Sequence, residues 1–126
     1  MDAVVQQQNQ PISASTGLSV EQEVMGAAAD INASLPKKLD NITTLEKATA
    51  SGKTLTYHYR VKAASADRDR LLTFIRSKVV PKTCTGPLRP DMRDKDVSYT
   101  YSYVGTDFST PVEVNVNEAM CEGLEG

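Results

Sequence analysis

Cys84 and Cys121 are the side chains whose type and spacing most readily predict a chemical bond in this chain. Two cysteines in a small domain could be buried free thiols, metal ligands or the halves of one disulfide. A zinc site needs close pairs of Cys or His ligands, whereas these cysteines are far apart in sequence and His58 is the only histidine. Metal is therefore disfavoured, and a disulfide, which is typical of oxidising compartments, is the favoured interpretation.

Other reactive side chains are not grouped as catalysis requires. His58 has no nucleophile motif around it, and a lone histidine on a strand is most often a solvated residue. Asp94 and Asp96 form a carboxylate pair, but a hydrolase built on them or on tyrosine hydroxyls would need those groups to converge with strongly perturbed pKa values. We therefore predict a non-enzymatic protein that uses no cofactor and no metal.

The tyrosines are a further candidate, because aromatic side chains on strands can form stacking platforms for ligands. All five lie in two predicted strands at the same phase of alternation: Tyr57, Tyr59, Tyr99, Tyr101 and Tyr103. The face that carries the tyrosines also carries Leu55, Val61 and Val97, and the sequence has no excess of basic residues. Core packing is therefore favoured over a ligand platform.

Length and charge limit the classes of function. The chain has 126 residues, which suits one domain, and its 14 Lys plus Arg against 16 Asp plus Glu give a formal net charge of -2. Nucleic acid binding is disfavoured, because the basic excess that attracts phosphate backbones is missing. No apolar run reaches the roughly 20 residues of a membrane span, so membrane contact is expected only through an N-terminal anchor that has been removed or is absent.

The sequence divides into a tail, one domain and a short C-terminal end. Residues 1–17 are polar and small and are expected to be a disordered tail or tether, of the kind that follows a removed signal or anchor. Residues 18–122 should form a single α+β domain, and residues 123–126 a disordered tail. Within the domain, Ser19 and Gln22 have the spacing of a capping box, and Pro36 should end the first helix at Leu35.

The Thr-rich segment 41–50 predicts a first strand, and alternation of apolar and polar residues predicts strands over 53–63, 97–103 and 112–116. A second helix should begin at Ser65 and stop at Pro81. Residues 85–96 read as a long surface loop, with one helical turn near residues 91–94. The order αββαββ predicts a two-layer α+β sandwich, with an antiparallel four-stranded sheet and two helices on one face.

The chain resembles a family of small bacterial exported domains, many of which follow a signal or a single membrane anchor. The residues that carry the resemblance extend over 20–121 and combine a helix end, two strands and two cysteines. They are Ile31-Asn32, Leu35-Pro36, Leu39-Asp40, Leu45, Leu55-Thr56-Tyr57, Tyr59, Cys84, Val97, Tyr99, Tyr101 and Cys121. The resemblance implies an envelope location and a Cys84–Cys121 disulfide. It brings no catalytic residue, and this chain departs from it in lacking the leading hydrophobic segment.

The function expected from these observations is a periplasmic or otherwise exported bacterial module that binds another envelope protein, such as a component of a secretion or surface system. A small-ligand-binding or enzyme-inhibitor module is the alternative, with a cleft between helix and sheet or the mobile loop as its site. The candidate partner contacts are basic residues of the 85–96 loop and of the exposed strand face. They are Arg89, Arg93, Lys95, His58, Arg60 and Lys62.

Overall fold

A computed structural model describes residues 19–125 of the chain. The strands are β1 (Lys37–Lys38), β2 (Thr43–Ser51), β3 (Thr54–Val61), β4 (Ser98–Val104) and β5 (Val112–Val116). The α-helices are α1 (Val20–Asn32), α2 (Arg68–Phe74), α3 (Val80–Thr85), α4 (Arg89–Lys95) and α5 (Glu118–Glu125). A 3-10 turn (Ser65–Asp67) precedes α2, and a π-helical segment (Ile75–Val79) joins α2 to α3.

The strands form one sheet in the order β1-β2-β3-β4-β5, with the apolar sides of the helices packed on one face. The α+β class and the two-layer arrangement are confirmed, but two details of the predicted sheet differ. β1 adds a fifth strand, and β3 and β4 pair in parallel. The parallel pair arises because the chain crosses the helix layer between β3 and β4, and so re-enters the sheet in its original direction.

The first helix has the predicted start but an earlier end. Ser19 and Gln22 form the capping box, each side chain accepting a hydrogen bond from the other residue's backbone N–H. The helix ends at Asn32 instead of Leu35. Three further residues then carry the chain away from the helix axis towards Pro36 and β1.

The predicted stop at Pro81 is wrong, because the helical path continues to Thr85. Proline has no N–H to donate and its ring crowds the preceding turn, so it usually ends or kinks a helix. Here the π-helical segment Ile75–Val79 changes the backbone hydrogen-bond pattern before the proline is reached. Pro81 then lies in the opening turn of α3, where a backbone N–H is not required for helical hydrogen bonding. The continuation places Cys84 on a helix.

The predicted 85–96 loop contains a full helix, α4, where only one helical turn was expected. Leu88 and Met92 are 0% and 1% exposed, so this segment contributes to the core. Pro90 lies in the opening turn, and Asp96 ends the helix with a left-handed φ of 58°. None of the helices in the described part of the chain is long and apolar enough to span a membrane.

The two predicted tails have different outcomes. Residues 1–17 lie outside the described residues. Most of 123–126, in contrast, belongs to α5, which extends to Glu125. Asn117 begins that helix, since its side-chain oxygen accepts a hydrogen bond from the Met120 N–H at 2.9 Å.

The tyrosines form the centre of the core, as predicted. All five are at most 1% exposed, and their rings stack in pairs across neighbouring strands. The ring centroids of Tyr59 and Tyr103 are 4.5 Å apart, and those of Tyr57 and Tyr101 are 5.5 Å apart. Within the described residues, the Tyr101 hydroxyl is hydrogen-bonded to Thr83 at 2.7 Å. A ligand platform is therefore wrong for these side chains, because the helices cover them.

The Asn32 side chain covers part of the β2 edge that the two-residue strand β1 leaves unpaired. Its side-chain amide donates to the Ala48 carbonyl oxygen and its side-chain oxygen accepts from the Ala48 N–H, both at 2.8 Å. This contact lies just after the irregularity in the β2–β3 register between Leu45 and Lys47. The side chain therefore satisfies two backbone groups that would otherwise lie unpaired at the sheet edge.

We expect Asn32→Ala to lower the free energy of unfolding by about 2 kcal/mol, because it removes two hydrogen bonds worth about 1 kcal/mol each. Urea denaturation of the oxidised protein measures the change. Ser34→Ala is the matched control, since the exposed Ser34 hydroxyl bonds only the nearby Ile31 carbonyl at 3.2 Å within the described chain. Equal midpoints for both variants would show that Asn32 does not stabilise the β2 edge.

Candidate protein-binding surface

The disulfide joins the end of the long helical path to the C-terminal helix. Cys84 in α3 and Cys121 in α5 are bonded, with their Cα atoms 5.3 Å apart and a sequence separation of 37. Both are buried, at 4% and 0% exposure. The predicted disulfide is therefore present, and it closes the chain around β4 and β5.

Arg89 lies beside this disulfide and holds α4 against α5. Its Nε and one terminal nitrogen contact the two carboxylate oxygens of Glu118 at 2.5 and 2.7 Å. Another terminal nitrogen donates to the Cys84 carbonyl oxygen at 3.3 Å. The Arg89 hydrogen bond holds the pKa of Glu118 below its usual value. Since the Arg89 side chain is only 13% exposed, it has a structural position rather than an accessible one.

The other two basic residues of α4 differ from each other. The Lys95 ammonium lies 3.1 Å from a Glu23 carboxylate oxygen and 3.9 Å from one of Asp91, and this side chain is 21% exposed. It therefore ties α4 to α1. Arg93 is 57% exposed and lies 3.9 Å from Asp94, so it is the most accessible of the three predicted contacts on this helix.

His58, Arg60 and Lys62 are the predicted contacts on β3 and just beyond its end. The alternation of β3 directs them to the sheet face opposite the helices, which we call the outer face. The His58 ring nitrogen Nε2 lies 2.8 Å from the Thr49 hydroxyl. Partial burial lowers the pKa of His58, and the nearby Lys47 lowers it further, so this ring is neutral at pH 7.

The remainder of the outer face carries small polar side chains in cross-strand rows. Thr54 and Ser98 share a hydrogen bond of 2.9 Å between their hydroxyls. The Asn115 side chain donates to Ser98 at 3.1 Å and to Thr100 at 2.9 Å. These contacts make a hydrogen-bonded polar surface that extends from β3 to β5.

Arg60 marks one end of this face and lines a groove of about 400 Å³. Its side chain is 57% exposed, and its Nε lies 3.1 Å from a Glu46 carboxylate oxygen. The other lining residues are Val104, Gly105, Thr106, Asp107, Phe108 and Ser109. We call this feature the Arg60 groove. It lies where β3 and β4 both end, which is where parallel strands commonly place a binding site.

The wall of the groove is held by the segment that leaves β3. Thr106 donates its backbone N–H to the Ala63 carbonyl oxygen at 2.9 Å. The Asp107 carboxylate accepts from the Ser65 N–H at 2.5 Å, at the start of the 3-10 turn. In the sequence, Gly105 and Asp107 indicate only a turn between two strands. The sequence signal for a site here is a turn directly after the strand β4. This signal becomes specific only once the parallel pairing of β4 with β3 is known.

The candidate hydrolytic groups do not converge. Burial raises the pKa of Tyr101 to about 12, although its Thr83 hydrogen bond opposes the increase. Asp94 is 70% exposed, and Asp96 is exposed at the end of α4. Within residues 19–125, no group of three or more His, Cys, Asp or Glu side chains is placed to hold a metal ion. Among the described residues, these groups therefore do not form a convergent cluster.

Comparison with known proteins supports the fold. No family model matches the chain, and no curated protein does. Solved structures with the same fold include a candidate secreted protein of Pseudomonas aeruginosa, which is 17% identical with a TM-score of 0.69. They also include EpsS, a pilotin of the Vibrio vulnificus type 2 secretion system, at 16% identity and a TM-score of 0.63, and AspS, a type II pilotin of Vibrio cholerae, at 16% and 0.52.

These likenesses extend over 81% of this chain and over 92%, 91% and 92% of the three neighbours, in the same order. They therefore cover nearly the whole of each neighbouring structure and not one shared motif. At this level of identity they show the fold alone. The neighbours are a candidate secreted protein and two secretion-system pilotins, in agreement with the coarse expectation of a small exported domain.

Proposed function

We propose that this protein is a non-enzymatic, exported accessory module of a bacterial secretion system, and that it acts in the periplasm by binding another envelope protein. The observation that carries the proposal is the fold, whose likeness to two secretion pilotins covers 81% of this chain and 91% and 92% of theirs. A disulfide between buried cysteines supports an oxidising compartment such as the periplasm.

The partner contacts are assigned to the outer face at His58, Arg60 and Lys62, together with the Arg60 groove. This end of the sheet presents the accessible basic side chains Arg60 and Lys62, with Glu46 beside Arg60 and Asp107 in the wall of the groove. The groove also offers backbone groups and side chains of the 104–109 loop around Arg60. A loop held on a rigid sheet suits recognition, because little ordering entropy is lost on binding. The expected partner segment is polar and carries a carboxylate that can replace Glu46 beside Arg60.

The basic residues of α4 that were predicted as partner contacts are weaker candidates. Arg89 and Lys95 are mainly buried and already pair with acidic side chains of neighbouring helices. Reaching a partner would require breaking those contacts, at a cost in stability. Arg93 remains accessible and serves as the comparison residue for the experiment below.

A small polar ligand in the Arg60 groove is the second candidate. The groove volume of about 400 Å³ falls within the range of about 300–1,000 Å³ that is common for ligand sites. The groove is lined mostly by polar residues of a loop. A deep apolar cleft, in contrast, would favour a small-ligand-binding module. Binding of a small anion such as citrate to the isolated domain, abolished by substitution of Arg60, would favour this candidate.

We expect Arg60→Glu to reduce capture of the partner from an envelope fraction at least about tenfold, because it places a negative charge where a carboxylate is recognised. Tagged, oxidised protein is crosslinked in the fraction, and captured components of the secretion apparatus are quantified by mass spectrometry. Arg93→Glu is a matched control, since both arginines have 57% exposed side chains and lie beside one acid.

The control separates the two surfaces. Retained capture with Arg93→Glu and loss with Arg60→Glu support the outer face. The reverse pattern would move the contacts to α4, and equal capture by both variants and the unmodified protein would remove both assignments. Capture of no secretion component by any form would contradict the proposed function itself.

A further inference from the structure

The two edges of the sheet are built in opposite ways. At one edge, β1 is only two residues long, both are exposed lysines, and the Asn32 side chain covers the adjoining part of β2 at Ala48. Short strands, lysines and covering groups are the devices by which proteins prevent another strand from pairing with a sheet edge.

The opposite edge, β5, has none of these devices. It is five residues long, contains no lysine and no proline, and pairs with β4 without a register shift. Within the described chain, no hydrogen bond reaches the backbone of this strand from its far side. A regular edge strand of this kind is a template for the addition of another strand.

The register identifies which backbone groups point outwards. Ser98 donates its N–H to the Lys53 carbonyl oxygen at 3.0 Å, so its backbone faces β3. Because successive residues alternate, Tyr99 faces β5 and forms a hydrogen-bonded pair with Val116. Tyr101 and Val114, and likewise Tyr103 and Val112, are also hydrogen-bonded pairs. The N–H and C=O groups of Glu113 and Asn115 therefore face the free edge.

We propose that β5 is a dimer edge, at which a second copy of this chain adds its own β5 in antiparallel orientation about a two-fold axis through Val114. In this register, Glu113 lies opposite Asn115 of the partner subunit, and each such pair exchanges both backbone hydrogen bonds. The outward groups of the two strands then satisfy one another, and the two sheets become continuous.

The side chains favour this register over one of its two symmetric neighbours, the one whose two-fold axis passes through Glu113. It places a carboxylate opposite a neutral amide on the outer face, and the buried valine row of one subunit continues into that of the other. A shift that brings Glu113 opposite Glu113 of the partner subunit would juxtapose like charges, which is destabilising. The strand is thus complementary to itself in this antiparallel alignment.

Sedimentation of the oxidised 126-residue chain over a concentration series tests the dimer. We expect reversible dimerisation that Glu113→Pro weakens at least about tenfold, because proline removes the outward N–H and leaves the pairing with β4 intact. Glu113→Thr keeps the N–H and is expected to retain the dimer. Circular dichroism establishes that both variants are folded.

Hydrogen exchange gives a second readout that needs no variant. The amides of Glu113 and Asn115 are expected to exchange more slowly at high protein concentration than at low concentration, while those of the β1 edge do not change. A monomer at every concentration, a dimer that survives Glu113→Pro, or a partner protein that pairs with β5 while the chain remains monomeric would each overturn the proposal of a second copy.

Discussion

Replacing both cysteines with alanine is expected to lower the free energy of unfolding by about 4 kcal/mol. The closed loop spans 37 residues of sequence, and the chain-entropy model gives roughly this value for a loop of that length. The loss is large, because domains of this size are stable by only about 5–15 kcal/mol. It should also loosen α5, since Cys121 is the buried residue among the described side chains of that helix.

Urea denaturation of the Cys84→Ala/Cys121→Ala double variant measures the change. A reductant should lower the midpoint of the unmodified protein and leave that of the double variant unchanged. If reduction does not shift the midpoint of the unmodified protein, the disulfide contributes no stability, and the account of the helix layer is wrong.

Gly105→Ala is expected to cost about 3 kcal/mol, at the upper end for overpacking. A Cβ at this position would overlap the Ala63 carbonyl oxygen and the ring of Phe108. The carbonyl cannot withdraw easily, because it accepts hydrogen bonds from the N–H and the hydroxyl of Thr106 at 2.9 and 3.1 Å. The substitution therefore disturbs the wall of the Arg60 groove as well as the fold.

Gly26→Ala is the control for this prediction, because a Cβ there meets nothing within 4 Å and the position is exposed in α1. It should stabilise the protein by up to about 1 kcal/mol, since alanine favours helix. Denaturation midpoints for the two variants should thus move in opposite directions. Similar midpoints would show that the 104–109 loop adapts to a side chain at Gly105.

The parts of the fold that were predictable depend on local patterns. The alternation in β3 and β4 placed all five tyrosines on one face, and burial of that face follows from hydrophobicity. The capping box at Ser19 fixed the start of α1 through contacts within one turn. The cysteine pair was predictable because few alternatives suit two distant cysteines.

The parts that were not predictable depend on contacts between distant segments. Whether β4 enters parallel or antiparallel to β3 is decided by the path of the helices between them. The continuation past Pro81 depends on a π-helical segment that propensity does not indicate. The helix in the 85–96 segment is stabilised by burial of Leu88 and Met92, which competes with the turn signals of its prolines.

The candidate site shows the same division. The six basic or histidine side chains predicted as partner contacts were chosen by their expected exposure alone. In the structure, Arg89 is paired with Glu118 and Lys95 with Glu23, and both acids come from remote parts of the chain. Arg60 gained its importance from a groove formed by the 104–109 loop. Such pairings can be inferred only after the elements have been assembled.

The most direct test of the proposed function is site-specific photo-crosslinking in the envelope of the source cells. A photoreactive residue replaces Lys62 at the end of the outer face, or Lys78, which is exposed on the helix side. A crosslink from position 62, but not from position 78, to one component of a secretion apparatus is the predicted result. A crosslink only from position 78, or none from either, would contradict a partner-binding outer face.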